Sequence, residues 1–313
     1  MSLVATTIEK IDCPSYRPYR ARVHALESLS PHFTRVTFWS ADFDVFGTDG
    51  RDQRIKLMFP APDGSLSASD DEESIAAGDW YDRWRRLPDD RRSPIRTYTV
   101  RAIDPDARLL TVDFVAHGDG GPAARWLLAA QPGDELVIVG PDARSINSAS
   151  GIDWQPGAAT DLLLVGDETA APAIAAILET LPAGQRARAF IEVPDGSDRL
   201  SPAIPANAEI TWLDRAGRAN GSVLVPAVER WVAEHPVIVA DAAAARPQQL
   251  AEVDIDLETL WELPEHVNGG FYAWIAGECG TVKTLRRLLV SGNGIDRGRV
   301  AFMGYWRLGR AEN

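Results

Sequence analysis

Arg96-Thr97-Tyr98-Thr99-Val100-Arg101 sets an aromatic ring, two hydroxyls and two guanidinium groups on one short segment. On a strand, Arg96, Tyr98 and Val100 share one face and Thr97, Thr99 and Arg101 the other. An aromatic ring can stack on a planar cofactor, a hydroxyl or backbone N–H can bond a ring nitrogen, and an arginine fork can grip a phosphate. The same pattern also fits a half-exposed strand with ordinary aromatic packing. Asp113 to Trp126 then reads as a strand, a glycine-rich loop (Gly118, Gly120, Gly121) and a helix start at Pro122. Free N–H groups and the dipole at such a start form an anion site that suits a pyrophosphate. Glycine-rich turns before helices also occur as plain connections.

A second anion-binding candidate is Gly166-Asp167-Glu168-Thr169-Ala170, which follows the apolar run Leu162 to Val165. It has one glycine where the dinucleotide fingerprint has three. A buried strand still delivers a turn and a helix start there, with Thr169 as cap or phosphate donor; a simple capped turn is the alternative. Ala276-Gly277-Glu278 and Gly304-Tyr305-Trp306-Arg307 close two further strands. Lys56 interrupts the apolar run Ile55 to Phe59, on the face shared by Arg54 and Met58.

These pieces must be held by elements of two textures. Up to residue 150 the chain reads as short strands at Arg22–Ser28, Thr34–Trp39, Arg54–Phe59, Arg96–Ile103, Leu109–Val115 and Glu135–Gly140. A polar excursion over 62–94 is partly helical around Trp80–Arg86. Short strands separated by turns predict an antiparallel Greek-key β-barrel over 1–150. From 151 to 313 strands alternate with helices, predicting an α/β domain with a parallel sheet. Its helices are expected at Ala171–Leu181, Ser222–His235 (capped by Ser222) and Thr281–Val290, and Val237–Ala240 is expected as a strand.

The formal net charge of −13 opposes nucleic acid or an anionic membrane surface as main partner. No run is long and apolar enough for a membrane span, and the start lacks the pattern of a secretory signal. Cys13 and Cys279 stand far apart, which fits a reducing cytoplasm and no disulfide framework. The five histidines (His24, His32, His117, His235 and His266) form no i, i+4 pair, so no protein-held metal is expected.

In this order, Arg96 to Arg101, His117-Gly118 with Gly121-Pro122-Ala123 and Trp126, Pro132-Gly133-Asp134, Gly166 to Ala170, Trp274 to Glu278 and Gly304 to Arg307 resemble the siderophore-interacting protein family, a branch of the ferredoxin–NADP reductase superfamily. The match runs over roughly residues 20–310. The resemblance implies an FAD-binding barrel followed by an NAD(P)H-binding domain. It implies FAD contacts from Arg96 (phosphates), Thr97, Tyr98 (isoalloxazine), Thr99 (its reactive edge), Val115, His117, Gly118, Gly121, Pro122, Ala123 and Ala124. It implies NAD(P)H contacts from Gly166, Asp167, Glu168, Thr169, Gly277 and Glu278, with Arg215 of Trp212-Leu213-Asp214-Arg215 on a 2′-phosphate. A cysteine such as Cys279 can lie near the nicotinamide in the superfamily; core packing is the other reading.

The implied activity is cytoplasmic reduction of a ferric siderophore by NADPH or NADH through FAD, releasing Fe(II). Hard oxygen ligands hold Fe(III) far better than Fe(II), so reduction frees the metal, and the cofactor carries the redox chemistry. Siderophores are often anionic, and Lys56, Arg54, Arg125 and Arg307 are the candidate cations for them. The alternatives are a general flavin or ferric-chelate reductase and a non-catalytic siderophore carrier.

Overall fold

The computed structural model describes residues 8–47, 49–61, 63–67, 70–116, 121–265, 267 and 269–309. They form two compact units. One comprises the chain up to Ser28 with Phe33–Ile152, the other Leu29–His32 with the chain from Asp153 onward.

The first unit contains β1 (Tyr16–Ser28), β2 (Phe33–Trp39), β3 (Arg54–Met58), α1 (Glu72–Ala77), α2 (Trp80–Arg85), β4 (Ile95–Thr99), β5 (Ala102–Asp104), β6 (Leu109–Val115), α3 (Pro122–Ala129) and β7 (Glu135–Pro141). The strands form one curled antiparallel sheet in the order β4-β3-β7-β1-β2-β6-β5. Arg96–Ile103, expected as one strand, bends at Val100 and Arg101. Val100 N–H donates to the Gln53 carbonyl on one side, and Arg101 N–H to the Thr111 carbonyl on the other, each at 2.9 Å. The bent segment thus supplies both ends of the sheet. Alternation fills the interior: Ile55, Leu57, Val36, Phe38, Val112 and Phe114 are buried together, while Lys56 between Ile55 and Leu57 is exposed. Outside, Met58, Val137 and Val139 are covered by Trp80, Trp84 and Ile95, which is what the 62–94 excursion contributes.

The second unit contains β8 (Asp161–Asp167), α4 (Ala171–Glu179), β9 (Arg186–Val193), β10 (Ala208–Asp214), α5 (Leu224–Glu234), α6 (Pro236–Asp241), β11 (Trp261–Glu262), β12 (Phe271–Glu278), α7 (Cys279–Arg286) and β13 (Val300–Trp306). Strand order is β10-β9-β8-β12-β13-β11. The first five are mutually parallel, and β8 and β12 are apolar along their length because helices cover both faces. The sheet is mixed rather than purely parallel, because β11 pairs antiparallel with β13 at the edge. Val237–Ala240 is helical, not extended. The chain breaks at His235, whose ring stacks on Trp231, and Pro236 starts α6 with its fixed φ. No helix among the described residues is long and apolar enough to cross a membrane.

Candidate functional site

In the first unit, register decides which candidates share a face. Tyr98 lies opposite Ile55 and Arg96 opposite Leu57, while Thr97 lies opposite Lys56 and Thr99 opposite Arg54. Tyr98 packs on Phe114 with ring centroids 4.4 Å apart, and Phe114 packs on Trp126 of α3 at 5.8 Å. This aromatic chain brings the start of α3 to the strand that carries Arg96. Arg96 is half-buried and Thr99 is buried. Arg101, the second guanidinium of the motif, lies 3.6 Å from buried Asp113, which also accepts a two-pronged pair from Arg35 at 2.7 and 2.9 Å. Its place is structural.

α3 begins after Gly121 in extended conformation with no side-chain cap among the described residues, and a Cβ on Gly121 would meet none of the described residues within 4 Å. The first-turn donors of Ala123 and Ala124, the open approach over Gly121 and half-buried Arg96 fit a pyrophosphate-bearing cofactor. Pro122 occupies the first turn, where its missing N–H removes no intrahelical bond. Val115, half-buried, ends β6. His117 and Gly118, expected on the cofactor, lie outside the described residues, as does His266.

The candidate cations are only partly brought together. Lys56 is exposed on the outer face and its Nζ donates to Thr97 Oγ1 at 2.7 Å. Arg54 shares that face, and Arg125 is exposed on α3. Arg307 belongs to the second unit. Its Nη1 donates to the Ile255 carbonyl and pairs with Asp256.

The second unit's chemistry gathers at the carboxyl ends of its parallel strands. From β8 the chain moves one way through β9 and β10, then crosses back to β12 and β13. The reversal makes the ends of β8 and β12 the switch point of the sheet, the place where doubly wound sheets bind ligands. Gly166 and Gly277 lie there. A Cβ on Gly166 would overlap Ala170 and lie 2.9 Å from the Ala276 carbonyl oxygen. Gly277, at φ 144, faces the Asp167 carboxylate at 2.7 Å from its Cβ position. Buried Asp167 ties the strand ends together. It accepts from the Thr169 N–H and hydroxyl, the Glu278 N–H (2.8 Å), Asn220 Nδ2 (3.3 Å) and Trp306 Nε1 (2.8 Å). Thr169 is therefore tied to its own turn. Glu278 caps α7 by accepting from Thr281 N–H at 2.8 Å. Cys279 is buried.

Two expected nucleotide contacts, Glu168 and Arg215, bond to each other. Arg215 is part of a buried ion-pair cluster. It forks onto both oxygens of Glu168 (2.8 and 3.0 Å) and reaches Glu192 at 3.1 Å, and both glutamates are fully buried. Burial pushes the Glu168 carboxyl above its ordinary range, with the Arg215 fork opposing. For Arg215, burial works against the charge, but the two carboxylates hold the guanidinium above its ordinary value. Glu168 and Arg215 are thus each other's partners. Glu192 also accepts from the N–H groups of Gly221, Val223 and Leu224 at 2.8, 3.2 and 2.9 Å. It satisfies the start of α5, the role expected of Ser222, and closes that terminus to phosphate.

Two family profiles match in succession. That described as "Siderophore-interacting FAD-binding domain" covers residues 22–145, and that described as "Siderophore-interacting protein" covers 159–309. The chain belongs to the siderophore-interacting protein family. Among relatives, the ferric vibriobactin reductase ViuB of Vibrio cholerae is 29% identical, covering 91% of this chain and 87% of that protein. The NADPH-dependent ferric-chelate reductase of Escherichia coli is 28% identical, covering 90% and 89%. The crystal structure of a siderophore utilization protein from T. fusca superposes with a TM-score of 0.69 at 30% identity, covering 96% of this chain and 97% of that one. The first unit of this siderophore-interacting protein is accordingly an FAD-binding domain.

Sequence reasoning passed over Glu192, Asn220 and the Trp306–Asp167 bond. A usable hint existed only for Glu192, a carboxylate inside the buried strand Arg188 to Val193. Such a charge demands partners.

Proposed function

We propose that this chain is an FAD-dependent ferric-siderophore reductase that draws on NAD(P)H, works in the cytoplasm and releases Fe(II). One observation carries the reading: an FAD-binding fold is followed, in one chain, by a sheet whose strand order reverses at a switch point, and the similarity to a ferric vibriobactin reductase spans both. Bound FAD supplies the step from two-electron donor to one-electron acceptor. The chain's part is to bind and orient. Arg96 and the first turn of α3 would hold the FAD pyrophosphate, with Tyr98, Thr99, Thr97 and Val115 near its ring system. Gly166, Asp167, Thr169, Gly277 and Glu278 would receive the nicotinamide nucleotide at the switch point. Both cysteines are free thiols, which supports a reducing compartment.

The deciding experiment is anaerobic. The yellow protein is expected to bleach with NADPH and to recover its colour on adding a ferric siderophore, with Fe(II) trapped by a chelator. Bleaching followed by recovery with free flavin or oxygen but not with any ferric chelate would reject the siderophore role. Absence of bleaching would reject the reductase.

Lys56 is proposed to offset, for an anionic ferric chelate, the repulsion of a protein carrying −13 overall. It is exposed and already bonded to Thr97, so its effect is modest. Lys56→Ala is expected to raise KM for an anionic siderophore about two- to fivefold, the scale of an exposed charge pair. Flavin content and bleaching by NADPH should stay as in wild type, and the defect should fade at high salt. Equal KM values at low salt would return Lys56 to the ordinary surface.

A further inference from the structure

β10 ends the sheet of the second unit. It pairs with β9 on one side and, among the described residues, with no strand on the other. Two bonds show which main-chain groups face that open side. The Asn207 carbonyl accepts from Ala187 N–H at 3.0 Å, and Arg215 N–H donates to the Val193 carbonyl at 2.9 Å. Successive residues of a strand turn their N–H and C=O groups to opposite edges, so the odd-numbered residues from 207 to 215 serve β9. Ala208, Ile210, Trp212 and Asp214 turn theirs to the open edge. Two of these groups are closed within the chain: Ala208 N–H donates to the Pro205 carbonyl, and the Asp214 carbonyl accepts from Arg218 Nη2, each at 3.0 Å. The N–H groups of Ile210, Trp212 and Asp214 and the carbonyls of Ala208, Ile210 and Trp212 bond to nothing among the described residues. Proline, lysine or a bulge commonly guards such an edge. Ala208–Asp214 has no Pro or Lys and keeps regular register with β9, and its exposed Glu209 pairs with Arg188 of β9. Ile210, Thr211 and Trp212 at its centre are strand formers and only half-buried.

The pattern of open and closed groups selects the partner. In an antiparallel pair of two β10 strands about a twofold axis through Thr211, Ile210 lies opposite Trp212 of the second copy and Ala208 opposite its Asp214. Ile210 and Trp212 then exchange both of their bonds. At each end the open Asp214 N–H meets the open Ala208 carbonyl. The bond that would complete that end pair, Ala208 N–H to the Asp214 carbonyl, joins the two groups already closed. Every open donor therefore meets an open acceptor. Sliding the second copy by one pair sets the open Trp212 carbonyl against the closed Ala208 N–H, or the open Ile210 N–H against the closed Asp214 carbonyl. No charge meets its like: Glu209 lies opposite Leu213 and Asp214 opposite Ala208. We propose that β10 pairs with β10 of a second copy of this chain in this register, joining two sheets into one across an isologous interface. Two short strands bury little area, so the dimer is weak, forming at about 10–100 μM.

The test is sedimentation equilibrium of the full-length, flavin-loaded protein over roughly 1–300 μM, a range that brackets such an interface. Monomer should pass to dimer across it. Hydrogen exchange of the Ile210, Trp212 and Asp214 amides should slow over the same range, while the Thr211 and Leu213 amides, bonded to β9, keep their rates. Thr211→Lys and Thr211→Glu each set like charges face to face at the twofold axis. Each alone should weaken self-association about tenfold at low salt, and the two variants mixed should associate at least as well as wild type. Melting temperatures near wild type show that both variants fold. A monomer throughout the range leaves the edge to a foreign strand and overturns the proposal. So does a dimer in which the Ile210 and Trp212 amides exchange as in the monomer, or a pair of folded charge variants that associate no better mixed than alone.

Discussion

Arg215→Ala is expected to destabilise the second unit by about 3–5 kcal/mol, the range for stranding a buried charge. The substitution strands two carboxylates at once, since Glu168 and Glu192 are both fully buried and Arg215 bonds both. It also loosens the junction of the β8 turn, the ends of β9 and β10 and the start of α5. The loss should depend on pH. Burial already raises Glu168, and without Arg215 the largest opposing interaction is gone. A carboxyl raised in the folded state binds more protons folded than unfolded, so its stability contribution is present at low pH and lost as pH rises. The variant should therefore lie closest to wild type at mildly acid pH and furthest below it under alkaline conditions. Thermal melting across that range measures it. A melting temperature within a degree or two of wild type at every pH would mean that the cluster contributes no net stability.

A chain ended after Ile152 is expected to keep flavin but to stay yellow under anaerobic NADPH. The cut is placed to spare the first unit. Tyr16 OH donates to the Ser150 carbonyl at 3.0 Å, Gln53 Nε2 donates to the Ser150 carbonyl at 2.9 Å, and Arg54 N–H donates to the Gly151 carbonyl at 3.0 Å. A cut nearer β7 would remove these partners and confuse loss of the donor domain with damage to the flavin domain. Bleaching of the shortened chain at the full-length rate would show that the division of labour between the two units is wrong.

Much of the frame was legible because it follows from local rules. Leu109–Val115 alternates and is bounded by turn residues, and Leu162 to Val165 is an unbroken apolar run of the kind parallel sheets require. That Lys56 lies on the face opposite Ile55 and Leu57 followed from the strand period alone. What escaped depended on distant partners. Trp212-Leu213-Asp214-Arg215 looks like a strand ending in an available cation, and nothing nearby in the chain reveals Glu168 or Glu192. Two-residue β11 is too short to leave a pattern. At Val237 the β-branched residues suggested a strand, but Pro236 set the backbone for a helix turn. Thr169 was placed at the right turn, yet the same residue types serve for holding phosphate and for holding Asp167.

The place of β7 bears on how the protein is made. In the sheet, β7 lies between β3 and β1, and it is the last of the seven strands to be synthesised. As the chain leaves the ribosome, β1 pairs with β2 and β3 with β4, but one edge of each must wait until Glu135–Pro141 emerges. During that interval Ile55 and Leu57 of β3 and Tyr19 and Ala21 of β1, all interior residues later, face solvent or whatever binds nascent chains. Open apolar edges are templates for association. A fragment ending between α3 and β7 is therefore expected to aggregate rather than form a short flavoprotein, whereas one released at Ile152 carries every strand of the sheet.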